Sequence, residues 1–309
     1  MKKNRYIKEF ASGLQIHSLR FFLAAVKITP RRVLDLVRQV LFAVAYPFMQ
    51  RLRSICRRNL ESVYADSRNA ADYTAMAKGC LRYISQGMVD LLYFVQSPKR
   101  LLPITRIHNE AILQKALEKG RGVMAVTGHL GNFPLMFVSL VQRGYKVNVV
   151  IRPMRDKRFS EFMFDLCARR QVHMIPLFPR TTFMRQCLGA LKRNELLFIL
   201  LDEFVPEEAS VRVDFFGKQV TRAVGPMLFH RRTGAPVLPL FVIKNNQGGF
   251  DIFIEPALEM EPGLTPEEED RQHVARLTQI IEDYVRRYPL QWGGWLNKRW
   301  ADMQDRQAV

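Results

Sequence analysis

Residues Gly122–Leu135 read GVMAVTGHLGNFPL, and their order decides the fold class. A short apolar run, Gly122–Thr127, passes at once into a turn containing Gly128 and Gly131, and a helix is expected to begin near Pro134. Proline suits a first helical turn because the N–H it lacks would have no intrahelical partner there. His129 therefore stands at the carboxyl end of a strand, the edge at which open α/β sheets place their ligands. The start of the following helix offers free backbone N–H groups, which suit a developing oxyanion. A single histidine in such a turn is ordinarily satisfied by local hydrogen bonds, so it carries chemistry only if other groups join it.

Two further strand ends supply such groups. Lys146–Ile151 is expected to be a strand ending in Arg152-Pro153, and Leu196–Leu201 one ending in Asp202-Glu203. A base, a cation and carboxylates at neighbouring strand ends are the parts of an acyl-transfer site. Farther out, apolar runs at His173–Pro176, Val211–Phe215, Val237–Lys244 and Phe250–Glu255 alternate with helical periods. Those periods fall at Ala111–Lys119, Leu135–Arg143, Arg158–Arg170, Thr181–Arg193 and Arg222–Arg232. The alternation predicts an α/β fold, a sheet with helices on its faces. Thr265–Tyr288 predicts an amphipathic helix with Val274, Leu277, Ile281, Tyr284 and Val285 on one side. Thr265 suits its N-cap and Pro266 its first turn. No internal repeat or low-complexity linker interrupts the pattern.

The chain has 309 residues, 48% of them hydrophobic, enough for one large core. Its 47 basic against 29 acidic residues leave a net charge of +18, which calls for an anionic partner. Nucleic acid is one candidate, but no zinc finger, aromatic RNA-binding block or clear helix-turn-helix is present. An anionic bilayer is the other. Lys2, Lys3, Arg5 and Lys8 open the chain, and the apolar stretches Leu19–Val26 and Val40–Met49 follow. Neither reaches the roughly 18 uninterrupted apolar residues of a spanning helix. Two helices lying in the membrane interface fit better, with a marginal span or plain core helices as alternatives. Arg51–Leu60 and Met76–Phe94 read as further helices. Residues 1–50 are thus expected to form a membrane-associated region and 51–309 the catalytic domain. Cys56, Cys80, Cys167 and Cys187 have no zinc spacing and are expected to be free thiols in a reducing compartment.

Several blocks in order resemble the bacterial late lipid A acyltransferases, within the wider lysophospholipid acyltransferase superfamily. The resemblance begins at Arg57-Arg58-Asn59-Leu60 and is strongest over Ala116–Asn132, ALEKGRGVMAVTGHLGN. It continues through Val149-Val150-Ile151-Arg152-Pro153, Ile199–Glu203, Val213–Lys218 (VDFFGK) and Gly234–Val242 (GAPVLPLFV) to Gln291–Trp300, QWGGWLNKRW. It implies a mixed twisted sheet flanked by helices, as in glycerolipid acyltransferases. It implies as well that His129 takes the proton of an acceptor hydroxyl, which attacks a fatty acyl thioester on acyl carrier protein or coenzyme A. No resident cofactor or metal is implied. The acceptor would be a lipid A precursor or a related lipid or glycolipid, at the cytoplasmic face of an inner membrane.

On this resemblance His129, Arg152 and Asp202 are the catalytic candidates, and Gly131, Asn132, Glu203 and Arg222 are expected to bind substrate. Arg152 either meets a phosphate or developing charge, or makes a surface salt bridge. Asp202 either orients a partner or caps the next turn. Family members carry Glu or Asp five positions after the histidine, and this chain has Pro134 there. Asp202, Glu203 or Glu110 is expected to replace that carboxylate. Otherwise a backbone carbonyl orients His129, or the protein is a silent lipid-binding relative. The histidines His17, His108, His173, His230 and His273 are expected to be structural or exposed. Trp292, Trp295 and Trp300 either sit at a headgroup layer or pack the last helix. Phe215 and Phe216 either line an acyl groove or fill the core.

Overall fold

A computed structural model describes residues 25–64, 69–152, 157–205 and 210–298. Three helices come first: α1 (Arg31–Ala45), α2 (Gln50–Tyr64) and α3 (Ala70–Gln96). Then strands and helices alternate: β1 (Thr105–His108), α4 (Glu110–Glu118), β2 (Val123–Thr127), α5 (Phe133–Gln142), β3 (Val147–Ile151), α6 (Lys157–Ala168), β4 (Val172–Pro176), α7 (Arg180–Lys192) and β5 (Leu196–Leu200). A hairpin of β6 (Ser210–Phe215) and β7 (Lys218–Ala223) follows, then α8 (Gly225–Thr233), β8 (Val237–Lys244), β9 (Phe250–Ile254) and α9 (Pro266–Arg287). The α/β expectation holds, with element ends within a few residues of the sequence reading in most cases.

The described residues build a seven-stranded sheet in the order β1-β9-β8-β2-β5-β3-β4. It is mixed: β8 and β9 run antiparallel, and the other pairs are parallel. Central parallel strands covered on both faces read as continuous apolar runs rather than alternations. All five residues of β2 are buried for this reason. The period of two still sorts them between faces. Met124, Val126, Leu197 and Ile199 enter one core, with α2, α7, α8, α9 and the aromatic pair Trp292 and Trp295. Val123, Ala125, Leu196 and Phe198 enter the other, under α4 and α5.

Register fixes the functional edge. β2 pairs with β5 so that Thr127 lies opposite Leu200, and Leu201 donates its N–H to the Thr127 carbonyl. Two residues farther along each strand are His129 and Asp202. Adjacent parallel strands in this register therefore deliver histidine and aspartate side by side.

Several elements differ from the sequence reading, among them α1, which begins at Arg31 and ends at Ala45 instead of following the stretch Val40–Met49. Residues 222 and 223 belong to β7, not to a helix, and α8 begins only at Gly225. The alternation of Lys218, Val220 and Arg222 inward against Gln219 outward is short and carries two cations on its inner face, so it did not read as a strand. The edge strand β1, of four residues, was equally invisible. The last long helix is as expected. Thr265 accepts from the Glu268 N–H, and the Glu268 carboxylate accepts from the Thr265 N–H, a capping box.

The described part of the N-terminal region, residues 25–50, is helical, and Leu19–Ala24 lies outside the described residues. α1 is turned inside out relative to an ordinary surface helix. Its polar side faces the protein: Arg31 Nη2 donates to Asp90 Oδ1 at 2.8 Å, Gln86 Nε2 to Asp35 Oδ1 at 2.8 Å, and Arg38 Nη1 to Ser85 Oγ at 3.4 Å. Asp90 is fully buried and is also held by Lys244 at the end of β8. The apolar side of α1, with Val33, Leu36, Val37, Val40, Leu41 and Val44, is exposed. Among the described residues no helix is long and apolar enough to cross a membrane.

Candidate active site

The turn after β2 is shaped by two close approaches. A Cβ on Gly128 would lie 3.2 Å from the Asp202 carboxyl carbon, so glycine leaves room for the carboxylate. Gly131 has φ +61°, and a Cβ there would fall 1.8 Å from the Val242 carbonyl oxygen. Only glycine fits that position. His129 between them is turned back onto β5. Its Nδ1 lies 2.8 Å from Asp202 Oδ1, and its backbone N–H donates to Asp202 Oδ2 at 2.7 Å. The Trp292 indole N–H gives Oδ2 a second donor at 2.8 Å. Phe133 packs edge-on to the imidazole, ring centres 5.1 Å apart.

Asp202 is therefore the carboxylate that meets the imidazole, in the absence of an acidic residue at Pro134. Glu110, the third candidate, is committed elsewhere, to the Tyr145 hydroxyl at 2.9 Å and to Arg143. Glu203 stands on the other side of the ring, Oε1 3.6 Å from Nε2, with its side chain 57% exposed. Nε2 thus faces the open side of the site while Nδ1 faces the protein.

The charges are set by these contacts. Burial opposes an ionised Asp202, but the imidazole, its hydrogen bond, the Trp292 N–H and the backbone N–H outweigh that cost and hold the carboxyl down to about 2. Burial likewise opposes a charged His129, and the carboxylates of Asp202 and Glu203 outweigh it, lifting the imidazole up to about 9. The two groups are coupled: the carboxylates favour the imidazolium over a free histidine, and the imidazole favours the ionised carboxylate.

The remaining candidates fall in several places. Arg152 follows β3, the strand next beyond β5, and is exposed. Asn132 is buried and spends its amide on the Gly87 carbonyl at 2.8 Å, tying the start of α5 to α3. Arg222 is fully buried, its guanidinium 4.7 Å from the Phe215 ring centre, with Nη1 on the Glu203 carbonyl at 3.3 Å. Burial brings its pKa down to about 10, against the opposing pull of Asp202. Gly131 and Asn132 thus hold the turn after β2 against Val242 and Gly87, and Arg222 lies beneath the Glu203 backbone. Phe215, Phe216, Trp292 and Trp295 are core residues. Trp300 lies outside the described residues, as does His17. His108 stacks on Phe253 and meets Asp251, and His273 is buried on the Glu269 carbonyl. Among the described residues, no group of three His, Cys, Asp or Glu side chains is placed to hold a metal. The four cysteines are free, three of them buried.

The signal missed in the sequence was Trp292. Its side chain read as packing or membrane anchoring, whereas its N–H reaches a carboxylate 90 positions earlier in the chain.

A histidine held by a buried carboxylate, with its far nitrogen open at the carboxyl edge of an α/β sheet, is suited to removing a proton from a hydroxyl. Comparison with known proteins agrees. The family model described as bacterial lipid A biosynthesis acyltransferase matches residues 13–302, and the chain belongs to that family. The protein is an acyltransferase. It is 25% identical over 263 residues to the lipid A biosynthesis palmitoleoyltransferase of Escherichia coli (strain K12), covering 83% of this chain and 81% of that one. A lipid A biosynthesis acyltransferase of Shigella flexneri matches to the same extent. A phosphatidylinositol mannoside acyltransferase of Mycobacterium tuberculosis is 27% identical over 199 residues, 62% of this chain and 59% of that one.

Proposed function

We propose that the protein moves a fatty acyl chain from a thioester of acyl carrier protein or coenzyme A to a hydroxyl of a lipid A precursor or a related lipid or glycolipid. The observation that carries this reading is the His129–Asp202 pair, with Nδ1 bound to the carboxylate and Nε2 turned outward. His129 Nε2 takes the acceptor's hydroxyl proton as the oxygen forms its bond to the thioester carbonyl carbon. The tetrahedral oxyanion collapses, the carbon–sulfur bond breaks, and the imidazolium returns the proton to the departing thiolate. Asp202 holds the tautomer with hydrogen on Nδ1 and balances the imidazolium. Arg152, exposed at the end of β3, is suited to a phosphate of donor or acceptor. A silent lipid-binding role loses its motive, because the carboxylate missing at residue 134 is supplied by residue 202.

Membrane attachment in this reading rests on α1. A helix whose polar side is spent on the protein and whose leucines and valines face outward needs an apolar medium over that face. The net charge of +18 favours an anionic one. The site of action is then the cytoplasmic face of the inner membrane, where the acyl thioesters are. Residues 1–50 form the attached region and 51–309 the catalytic body.

The test offers acyl carrier protein and coenzyme A thioesters, in turn, to full-length protein with a lipid A precursor or a phosphatidylinositol mannoside, and reads the products by mass spectrometry. One pair should gain an acyl chain in the presence of wild type and not of His129→Ala. Equal product with His129→Ala of unchanged thermal stability would remove His129 from the reaction. No transfer to any lipid acceptor would overturn the function.

A further inference from the structure

The Asp202 carboxylate is held by more than the histidine. Its Oδ2 accepts two N–H groups, from the His129 backbone and from Trp292, which leaves Oδ1 for the imidazole. A carboxylate turns about its Cβ–Cγ bond unless both oxygens are held, and here the indole N–H is a donor that comes from neither strand end.

The indole itself is over-determined. It is 1% exposed and packs on Phe215, Phe216 and Trp295. Its backbone forms an isolated antiparallel bridge with Leu130. On either side of that bridge Gly131 donates to the Gln291 carbonyl at 2.8 Å, and Gly293 donates to the His129 carbonyl at 2.8 Å. The Gln291 side chain pins the same segment to β8, accepting from the Lys244 N–H and donating to its carbonyl, both at 2.9 Å. One strap therefore grips the histidine loop through its backbone and the aspartate through its side chain.

Packing alone does not account for this aim. Trp295 is just as buried, at 1%, and gives its N–H to the nearby Pro289 carbonyl. The two indoles fill the same aromatic cluster, and only one is directed at the site.

We propose that Trp292 is a positioning residue of this enzyme, its indole N–H fixing the Asp202 carboxylate in the rotation that serves His129. The proposal rests on the reading of His129 as the base. Without the indole donor, both carboxylate oxygens are held by His129 alone, so nothing outside the histidine fixes the rotation, and carboxylate and imidazole can turn together into orientations in which Nε2 no longer points at the acceptor oxygen. Substrate binding does not depend on that contact, so turnover falls while affinity is kept.

The experiment replaces Trp292 in the full-length protein with benzothienylalanine, which keeps the bicyclic shape and puts sulfur where the N–H was. Trp292→Phe and Trp295→Phe are made alongside, and all are assayed with the thioester and lipid pair found active for wild type. The benzothienyl protein should lose about tenfold or more in kcat, with KM for both substrates within about twofold, the scale expected when a reacting group is slightly misaligned. Trp295→Phe should lower the melting temperature and leave kcat within about twofold, because its N–H serves a local carbonyl. If Trp292→Phe does not fold, the benzothienyl protein alone decides. Wild-type kcat in the benzothienyl protein overturns the proposal while leaving the base in place. Wild-type kcat in His129→Ala overturns the reading beneath it.

Discussion

Asp202→Asn separates orientation from shape at the heart of the site. Asparagine has nearly the size of aspartate but offers one acceptor oxygen where the carboxylate has two. Three N–H groups converge on Asp202: two on Oδ2, at 2.7 and 2.8 Å, and Nδ1–H on Oδ1, at 2.8 Å. The amide has two ways to sit. With its oxygen at the Oδ2 position it satisfies both N–H groups there, and its own NH₂ then faces Nδ1. That arrangement is satisfied only if Nδ1 becomes an acceptor, so the ring proton moves to Nε2 and the base is lost. With its oxygen toward Nδ1 the useful tautomer survives, but two buried N–H groups now face an NH₂. Each such mismatch costs about 1–3 kcal/mol, so the useless arrangement wins by about 2–6 kcal/mol. At roughly 1.4 kcal/mol per factor of ten, turnover should fall roughly thirty- to twenty-thousandfold. The assay is kcat for acyl transfer from the active thioester to the active lipid, between about pH 6 and 10, the range that spans the titration of a tuned base. Melting curves beside it confirm folding. Turnover within a factor of about three of wild type, in a folded protein, would refute the tautomer argument.

Glu203→Gln should move the rising limb of the pH–turnover curve to lower pH, because the base works as neutral imidazole and Glu203 helps lift its pKa to about 9; an unmoved limb would remove Glu203 from the electrostatics. The same lifted pKa ties stability to pH: it lies above the ordinary 6.5, so the stabilisation is complete below 6.5 and is lost as pH rises through about 9. Melting temperatures of wild type should decline across that window, and those of Glu203→Gln less steeply. Leu36→Glu combined with Leu41→Glu should reduce binding of the full-length protein to anionic vesicles by more than about tenfold, since each leucine carried into an apolar layer is worth roughly 1.5–3 kcal/mol; equal binding in a flotation assay would dismiss α1 as the attachment surface. Pro134→Glu should leave kcat unchanged or lower it, because Nδ1 already has its carboxylate at 2.8 Å; a gain in kcat would show that Asp202 does not hold the imidazole.

Much of this was legible in residues 122–135 and 196–203, for a physical reason. Where parallel strands are buried on both faces, sequence marks them as apolar runs, and the first polar residues after each run are the ones at the open edge. His129 and Asp202 are such residues, and so is Arg152. What sequence lacks is register, and register is what set Asp202 rather than Glu203 or Glu110 against Nδ1. β1 and β7 were missed because an edge strand of four residues and a strand with Lys218 and Arg222 on its inner side carry no apolar run. Arg222 shows the limit from another side. A cation near a site reads as a ligand for anions, and only the fold reveals that it lies beneath the site, between Phe215 and the Glu203 carbonyl. The outward face of α1 was legible only in part, as the apolar stretch Val40–Met49, which fits an interfacial helix and a core helix alike. The difference lies in where Arg31, Asp35 and Arg38 are spent.

The strap that carries Trp292 sets an order on the making of the enzyme. His129 and Asp202 leave the ribosome well before it, since the indole is encoded 90 residues after Asp202. The strap is held in turn by Asn59, whose amide donates to the Trp295 carbonyl at 2.8 Å across 236 residues of intervening chain. Every strand of the sheet precedes the strap in the chain, so the indole donor of the carboxylate is the part of the site that is made last. Helix α1, with its apolar face, is made among the first. A chain cut short before residue 292 would carry His129 and Asp202 without the indole donor or the backbone strap that grips the histidine loop.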